Sequence, residues 1–265
     1  MLLWIGLVMT AGAGVGGTYE LGKKIDTIAL DSIRGDVKIR IDGEQKRNTI
    51  IATDRQDNTN CKFDIEESGS IARVVFGSMK KEGDSHNCTM EITVNLLPKS
   101  NVSVDLTEGF LDTRSLKEPF RANVGSGRIR IQDHQSDLNL IMGVGEVAVE
   151  GTGTLNVKTV NGNIRGTWSG TTEFKTDTGH IELTGLDGPS IAAAGIGNVL
   201  LTFDKLPTED LSFSAGKGNI VIDLPDDQPI KPGLMASGGT SVCDLPEGGE
   251  IDVVALTGNG SIRVH

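Results

Sequence analysis

From about residue 100 onward, apolar side chains fall on every second position in short runs, and each run is interrupted by a glycine. LNVKTVNGNIRG, residues 155–166, shows the unit: Leu155 and Val157, a turn at Gly162, then Ile164. Alternation of this kind marks half-buried strands, with one set of side chains inward and the other in solvent. Aligning the turn glycines gives Gly109, Gly127, Gly145, Gly162, Gly179, Gly197, Gly218, Gly239 and Gly260, in steps of 18, 18, 17, 17, 18, 21, 21 and 21 residues. Five positions before them stand Val104, Ala122, Leu140, Val157, Phe174, Ala192, Phe213, Leu234 and Ala255. Two positions after them stand Leu111, Ile129, Val147, Ile164, Ile181, Val199, Ile220, Ser241 and Ile262.

A fixed period with a constant inward phase predicts a solenoid, whose coils bury their apolar faces by stacking on neighbours. Short strands on coils of 17–21 residues pair in parallel with the equivalent strand one coil away, about 4.8 Å along the axis. The expected fold is therefore all-β: a right-handed parallel β-solenoid of about nine coils over 101–265. A hairpin-built β-sandwich also shows short strands and turns, but it has no reason to keep one position inward in every unit. Each glycine is expected to mark a bend between two strands, with a positive φ that a Cβ would penalise.

The first hundred residues are less regular. IDTIALDSIRGDVKIRI, residues 25–41, repeats the pattern around Gly35, with Ile28 and Leu30 before it and Val37, Ile39 and Ile41 after it. Strands are expected at 49–53, 61–66, 70–76 and 89–97, with a hairpin turn at EESGS. Residues 18–100 thus form an irregular, partly antiparallel β-region that caps the first rung, since an uncovered rung offers unpaired backbone. Residues 1–17 resemble a secretory signal, with an A-x-A site at Ala11-Gly12-Ala13 and no basic residue ahead of the apolar run. Their GAGVGG matches the glycine spacing of a dinucleotide-binding turn, but a strand pattern follows where that motif needs a helix.

Composition narrows the function. The net charge of −11 and pI of 4.8 argue against a nucleic-acid partner. Aromatics are only 4% of residues, which suits a narrow interior with little room for rings. Cys61 and Cys88 each begin a strand in the capping region and are candidates for a disulfide in an exported chain, the alternative being two reduced core thiols. Cys243 falls on an inward phase and is expected to be a buried thiol. Asp177-Thr178-Gly179 is the tripeptide of aspartic proteases, but there is no second copy and its glycine belongs to the repeat. His86, His134, His180 and His265 show no metal-ligand spacing, so no metal or cofactor is expected. Outward acids such as Glu146, Glu150, Glu173 and Glu182 could form an acidic face, or the paired carboxylates of a glycan-cleaving β-helix. Asn163, His180, Asn198 and Asn219 share the slot after the turn glycine and are expected to form a scaffold ladder. Loops such as LPDDQPIKPG at 224–233 lengthen the last coils. The coil ending at Ile262–Val264 is expected to form the end rung, blunted by charge or paired with another molecule.

GDVKIRI, ITVNLLPKSNVSVDL at 92–106, VKTVNGNIRG and FSAGKGNIVIDL together resemble the bacterial putative adhesin family. Those are exported β-solenoid proteins related to the head domain of auto-transporter adhesins. The resemblance implies export to the periplasm, cell surface or medium, no known enzyme chemistry, and a binding role. The leading expectation from the sequence is a non-enzymatic solenoid that presents a flat acidic face or loop edge to a protein or glycan partner. No binding residues carry over, and the scarcity of rings does not support a sugar platform. Two other classes are weighed against that reading: a scaffold that self-associates through its C-terminal rung, and a glycan-active enzyme.

Overall fold

The computed structural model describes residues 16–32, 36–54, 61–78, 88–225 and 228–265. No helix occurs among them, strands make up 73%, and stacked coils form a β-solenoid of about nine turns. The signal-like stretch, apart from its last two glycines, lies outside the described residues, as do Gly35, His86 and part of the 224–233 loop. The chain forms two compact units, Met1–Arg130 and Ile131–His265.

The first unit contains β1 (Gly16–Glu20), β2 (Thr27–Ser32), β3 (Asp36–Asp42), β4 (Thr49–Asp54), β5 (Cys61–Ser68), β6 (Ile71–Ser78), β7 (Thr89–Asn95), β8 (Asn101–Arg114) and most of β9 (Phe120–His134). The coil β2–β3 lies between two others. The long β8 pairs with it in parallel on one side, and β6 and β7 do so on the other. Beyond these, β5 pairs antiparallel with β6 through the expected hairpin, β4 pairs antiparallel with β7, and β1 with β4. Antiparallel strands of this sort end the parallel stack without offering it a matching edge. Cys61, at the head of β5, is joined to Cys88, just before β7, with Cα atoms 5.3 Å apart and a sequence separation of 27. Closing a loop of that length constrains the unfolded chain by about 3–4 kcal/mol in the loop-entropy account. The register sets Val37 beside Gly109.

The second unit contains β10 (Leu138–Thr152), β11 (Leu155–Ser169), β12 (Thr172–Thr178), β13 (Ile181–Leu186), β14 (Ser190–Ile196), β15 (Val199–Phe203), β16 (Leu211–Lys217), β17 (Ile220–Asp223), β18 (Ile230–Ala236), β19 (Ser241–Cys243), β20 (Glu247–Asn259) and β21 (Ile262–Val264). All pair in parallel. In β10 and β11 the ladder continues through the corner, with Val144 beside Asn161, Gly145 beside Gly162 and Glu146 beside Asn163. One long strand bends there, where two short ones were expected. The glycine column holds for two reasons. Gly179 has φ +142°, and a Cβ on it would collide with the carbonyl of Gly162. Gly162 has no positive φ, yet a Cβ there would lie 2.5 Å from the carbonyl oxygen of Gly145. Close approach of stacked backbones is thus the more general requirement.

Coil order departs from chain order at one end. β16 and β17 pair with β20 and β21, and the latter two pair on their other edges with β18 and β19. The coil ending at Ile262–Val264 is therefore an internal rung, not the end rung expected from its place in the sequence. The end rung is β18–β19, and this also corrects the expectation for Cys243. Its inward phase is right, but its coil has a neighbour on one side only, so the thiol is half-exposed.

The interior holds the rings that composition seemed to exclude. Phe174, Ala192, Phe213 and Ala255 occupy one inward column on successive coils, each at 1% exposure or less. Large and small side chains alternate along the axis, so each ring uses the space its neighbours leave. Trp168 is fully buried, and its Nε1 donates to the Gly153 carbonyl at 2.9 Å. Gly151 lies beside it in register and has no side chain to separate the indole from His134. The two rings stack with centroids 6.1 Å apart.

His134 is 1% exposed, and its Nδ1 has no partner. Its Nε2 lies 3.2 Å from the Asp137 carbonyl and donates to it. Desolvation pushes its pKa below 6.5, outweighing the opposing hydrogen bond and charge of Asp137. The unfolded chain therefore binds the proton more readily than the folded one. This contribution to stability is complete above pH 6.5 and declines as pH falls from there toward the lower folded value. The expected slope reaches at most about 1.4 kcal/mol per pH unit. Urea unfolding between pH 7 and 5 checks it, and the His134→Phe variant should be flatter over that interval.

Candidate docking face

The outward side chains of a solenoid form rows across the coils, and these rows are where a partner would meet it. On β10–β13 the rows carry both signs of charge and pair across neighbouring coils. Arg165 reaches Glu146 at 2.7 Å, and Lys158 reaches Glu173 at 3.6 Å. Asn156 also donates to Glu173 at 3.0 Å. Two of the acids expected to form an acidic face or a catalytic pair, Glu146 and Glu173, are thus engaged with cations. Glu150 and Glu182 are exposed on the same strands.

The rows change character at β14. Across β14, β16, β20 and β18, neighbours in that order, the outward positions are Ile191, Ala193 and Gly195; Ser212, Ser214 and Gly216; Val254, Leu256 and Gly258; and Gly233, Met235 and Ser237. None is charged, in a chain where 23% of residues are. Ile191, Leu256 and Met235 are 52%, 44% and 63% exposed. Exposed apolar side chains gathered on one regular face mark an interaction surface more often than scattered ones do. Charge returns only at the rim, as Asp210, Asp252 and Lys231 along one border and Lys217 along the other. Glycine at 195, 216 and 258 has a structural reason as well, since a Cβ at Gly258 would lie 2.7 Å from the Gly216 carbonyl oxygen.

Other residues singled out by the sequence take structural places. Asn163 Oδ1 accepts from the His180 backbone N–H at 2.9 Å, His180 Nδ1 from Asn198 at 3.0 Å, Asn198 Oδ1 from Asn219 at 2.9 Å, and Asn219 Oδ1 from Ser261 at 2.9 Å. Each side chain satisfies the backbone donor that the corner turns away from the strand ladder. The ladder is real, and it runs from side chain to backbone. Thr178 of Asp177-Thr178-Gly179 stands in register between Asn161 and Ile196, as one corner among others. No group of His, Cys, Asp and Glu able to hold a metal ion occurs among the described residues.

The uncharged face escaped sequence reasoning because attention to outward residues went to the acids. Its signal is present: from Ile191 onward, the positions four and six before each turn glycine hold no Asp, Glu, Lys or Arg.

No protein-family model matches the chain, and no curated protein matches it. Among solved structures it is similar to a putative adhesin from Bacteroides fragilis, at 14% identity and TM-score 0.48, covering 95% of this chain and 96% of that one. It is also similar to a putative adhesin from Parabacteroides merdae, at 15% identity and TM-score 0.40, covering 96% and 97%. A third, a putative lipid binding protein from Parabacteroides distasonis, gives 12% identity and TM-score 0.38, covering 95% and 98%.

Proposed function

We propose that the protein is an exported, non-enzymatic β-solenoid that acts by binding, and that its docking face is the outer surface of β14, β16, β20 and β18. The observation that carries this is the uncharged, partly apolar character of that face in a chain of net charge −11. Its partner is an apolar protein surface. Sugar recognition leans on exposed rings, and the one indole among the described residues, Trp168, is fully buried. The Cys61–Cys88 disulfide suits the oxidising compartments reached by export.

Assembly through the end rung is opposed by Pro232. In successive coils the N–H at its position donates to the next coil, as Leu138, Leu155 and Thr172 do. On β18 that direction is the free edge, where proline has no N–H to offer. Proline on the open side of an edge strand blocks further pairing.

The test is retention of the producing cell's envelope fraction by immobilised protein, wild type against Leu256→Glu. Leu256 is 44% exposed, so the substitution should leave the melting temperature unchanged. A central charge on the face should reduce retention about ten-fold or more. Equal retention by both proteins would overturn the assignment of this face.

A further inference from the structure

We infer that the first unit carries a separate binding site, on the outward face of β7, β3 and the parts of β8 and β9 that follow Gly109 and Gly127. Its ligand is a linear glycan that bears carboxylates at intervals, with uncharged sugar between them. This site goes beyond the docking face assigned above and does not depend on it.

Strand register sets the pattern. Lys38 and Arg40 alternate with the buried Val37 and Ile39 and so point outward from β3, and beside them on β8 stand Phe110 and Asp112. The next coil follows at a step of 18 residues, since Asn123 donates to Asp105. A Cβ on Gly127 would likewise meet the carbonyl of Gly109. The same step sets Arg128 beside Phe110 and Arg130 beside Asp112. Two rows therefore cross the strands, one reading Lys38, Phe110, Arg128 and the other Arg40, Asp112, Arg130. In each row the cations stand on alternate strands, about 10 Å apart, and the rows lie about 7 Å from one another along the strands.

The chain has 36 acidic against 25 basic side chains, yet solvent meets the opposite balance on this face. Among the described residues, the charged side chains exposed there are Arg40, Arg114, Arg128 and Arg130. The acids lie low. Asp112 is 7% exposed. Glu91, which Lys38 and Arg40 approach at 3.7 and 3.8 Å, shows 20% of its side chain against 53% for Arg40. Asp42 accepts from Gln45 and from the Glu44 N–H in its own corner.

Spacing and chemistry select the ligand. Duplex nucleic acid carries a charge for every ~1.7 Å of its axis, far denser than these cations, and a chain of net charge −11 repels it. A carboxylate matches the planar fork of a guanidinium. Between the cations of one row lies Phe110, a half-exposed ring that suits the C–H face of a sugar and not another acid. Between those of the other row lies Asp112, whose Oδ1 has no hydrogen-bond partner. Arg40 and Arg130 flank it across the strands, and Phe110 and Arg114 flank it along its own. Drawing the guanidinium groups up onto ligand acids uncovers that oxygen, which then accepts from a sugar hydroxyl and repels a further acid. An acid, a neutral hydroxylated ring and a second acid are what a glycan with a uronate on every second sugar presents. Charge carries this recognition, so no large aromatic platform is needed. Exposed ion pairs are individually weak, and a polymer engaging many displayed copies gains by avidity.

Calorimetric titration of the whole protein with an oligosaccharide of alternating glucuronate and N-acetylglucosamine, in about 50 mM salt, tests the inference. The wild type should bind with a Kd of about 1 mM or tighter. Arg40→Ser combined with Arg130→Ser should weaken binding about ten-fold or more. Both positions are exposed, so the melting temperature should not change. Raising the salt to about 200 mM should weaken wild-type binding several-fold. Leu256→Glu, in the second unit, should bind the oligosaccharide as the wild type does. Absence of wild-type binding would overturn the inference, as would a double arginine variant that binds equally well. An uncharged N-acetylglucosamine oligosaccharide of the same length that binds as tightly would remove the role of the acids and overturn it too. Tighter association with phosphatidylglycerol vesicles or with single-stranded DNA would assign the face to phosphate and overturn the glycan.

Discussion

Replacing Gly218 by valine is expected to lower stability by about 4 kcal/mol or more, enough to unfold much of a domain whose total is about 5–15 kcal/mol. Two independent penalties meet at this corner. Gly218 has φ +147°, and its Cβ would collide with the backbone carbonyl of Gly197 on the next coil. A non-glycine residue held at such a φ costs about 1–3 kcal/mol, and overpacking adds about 1–3 kcal/mol. The obstacle is backbone, so no rotamer change relieves it, and the coils on both sides would have to move apart. Gly69 supplies the contrast. It has φ +65° in the β5–β6 hairpin turn with nothing within 4 Å of an added Cβ, and asparagine tolerates that conformation. Gly69→Asn should therefore shift the urea midpoint little, whereas Gly218→Val should reduce soluble yield and melt well below wild type.

That contrast shows what the chain makes legible. The inward columns, the glycine column and the parallel ladder can all be read from three residues per coil, because stacking forces the same requirement on every coil. The order of the coils could not be read from spacing alone. Gly218, Gly239 and Gly260 lie at equal intervals of 21 residues, and either of the last two could stack on the first. Physical signals for the answer were nevertheless present. Phe213 fits against Ala255 better than against Leu234, given the large–small alternation of that column. Ser241 occupies an inward position that is apolar in every other coil. Pro232 withholds a donor that an internal rung would need. Each marks the coil at 230–243 as the one with a free side. The uncharged face was hidden for a different reason: periodicity reports what points inward, while the character of a face is written in what points outward.

The swapped order gives an asymmetry that deletion can measure. In a stack stabilised by nearest-neighbour interfaces, an internal coil contributes two interfaces and an end coil one. Removing residues 247–265 takes out Val253, Ala255, Ile262 and Val264, all at 1% exposure or less. At about 1.5–3 kcal/mol for each larger side chain, that already approaches the stability of a whole domain. It also leaves β18 and β19 without β20 and β21, the strands they pair with, and opens the edges of β16 and β17. Such edges recruit other chains, so this truncation should aggregate or become protease-sensitive back through residue 217. Removing residues 229–245 takes out one fully buried side chain, Ile230, with the half-exposed Leu234 and Cys243, and leaves β20–β21 stacked on β16–β17, as any coil stacks on the one before it. That internal deletion should stay soluble, with a modest fall in melting temperature. Were the coils stacked in chain order, the ranking would reverse, because 247–265 would then be the expendable end. Solubility, thermal melting and limited proteolysis of the two deletions decide between the orders without a further structure.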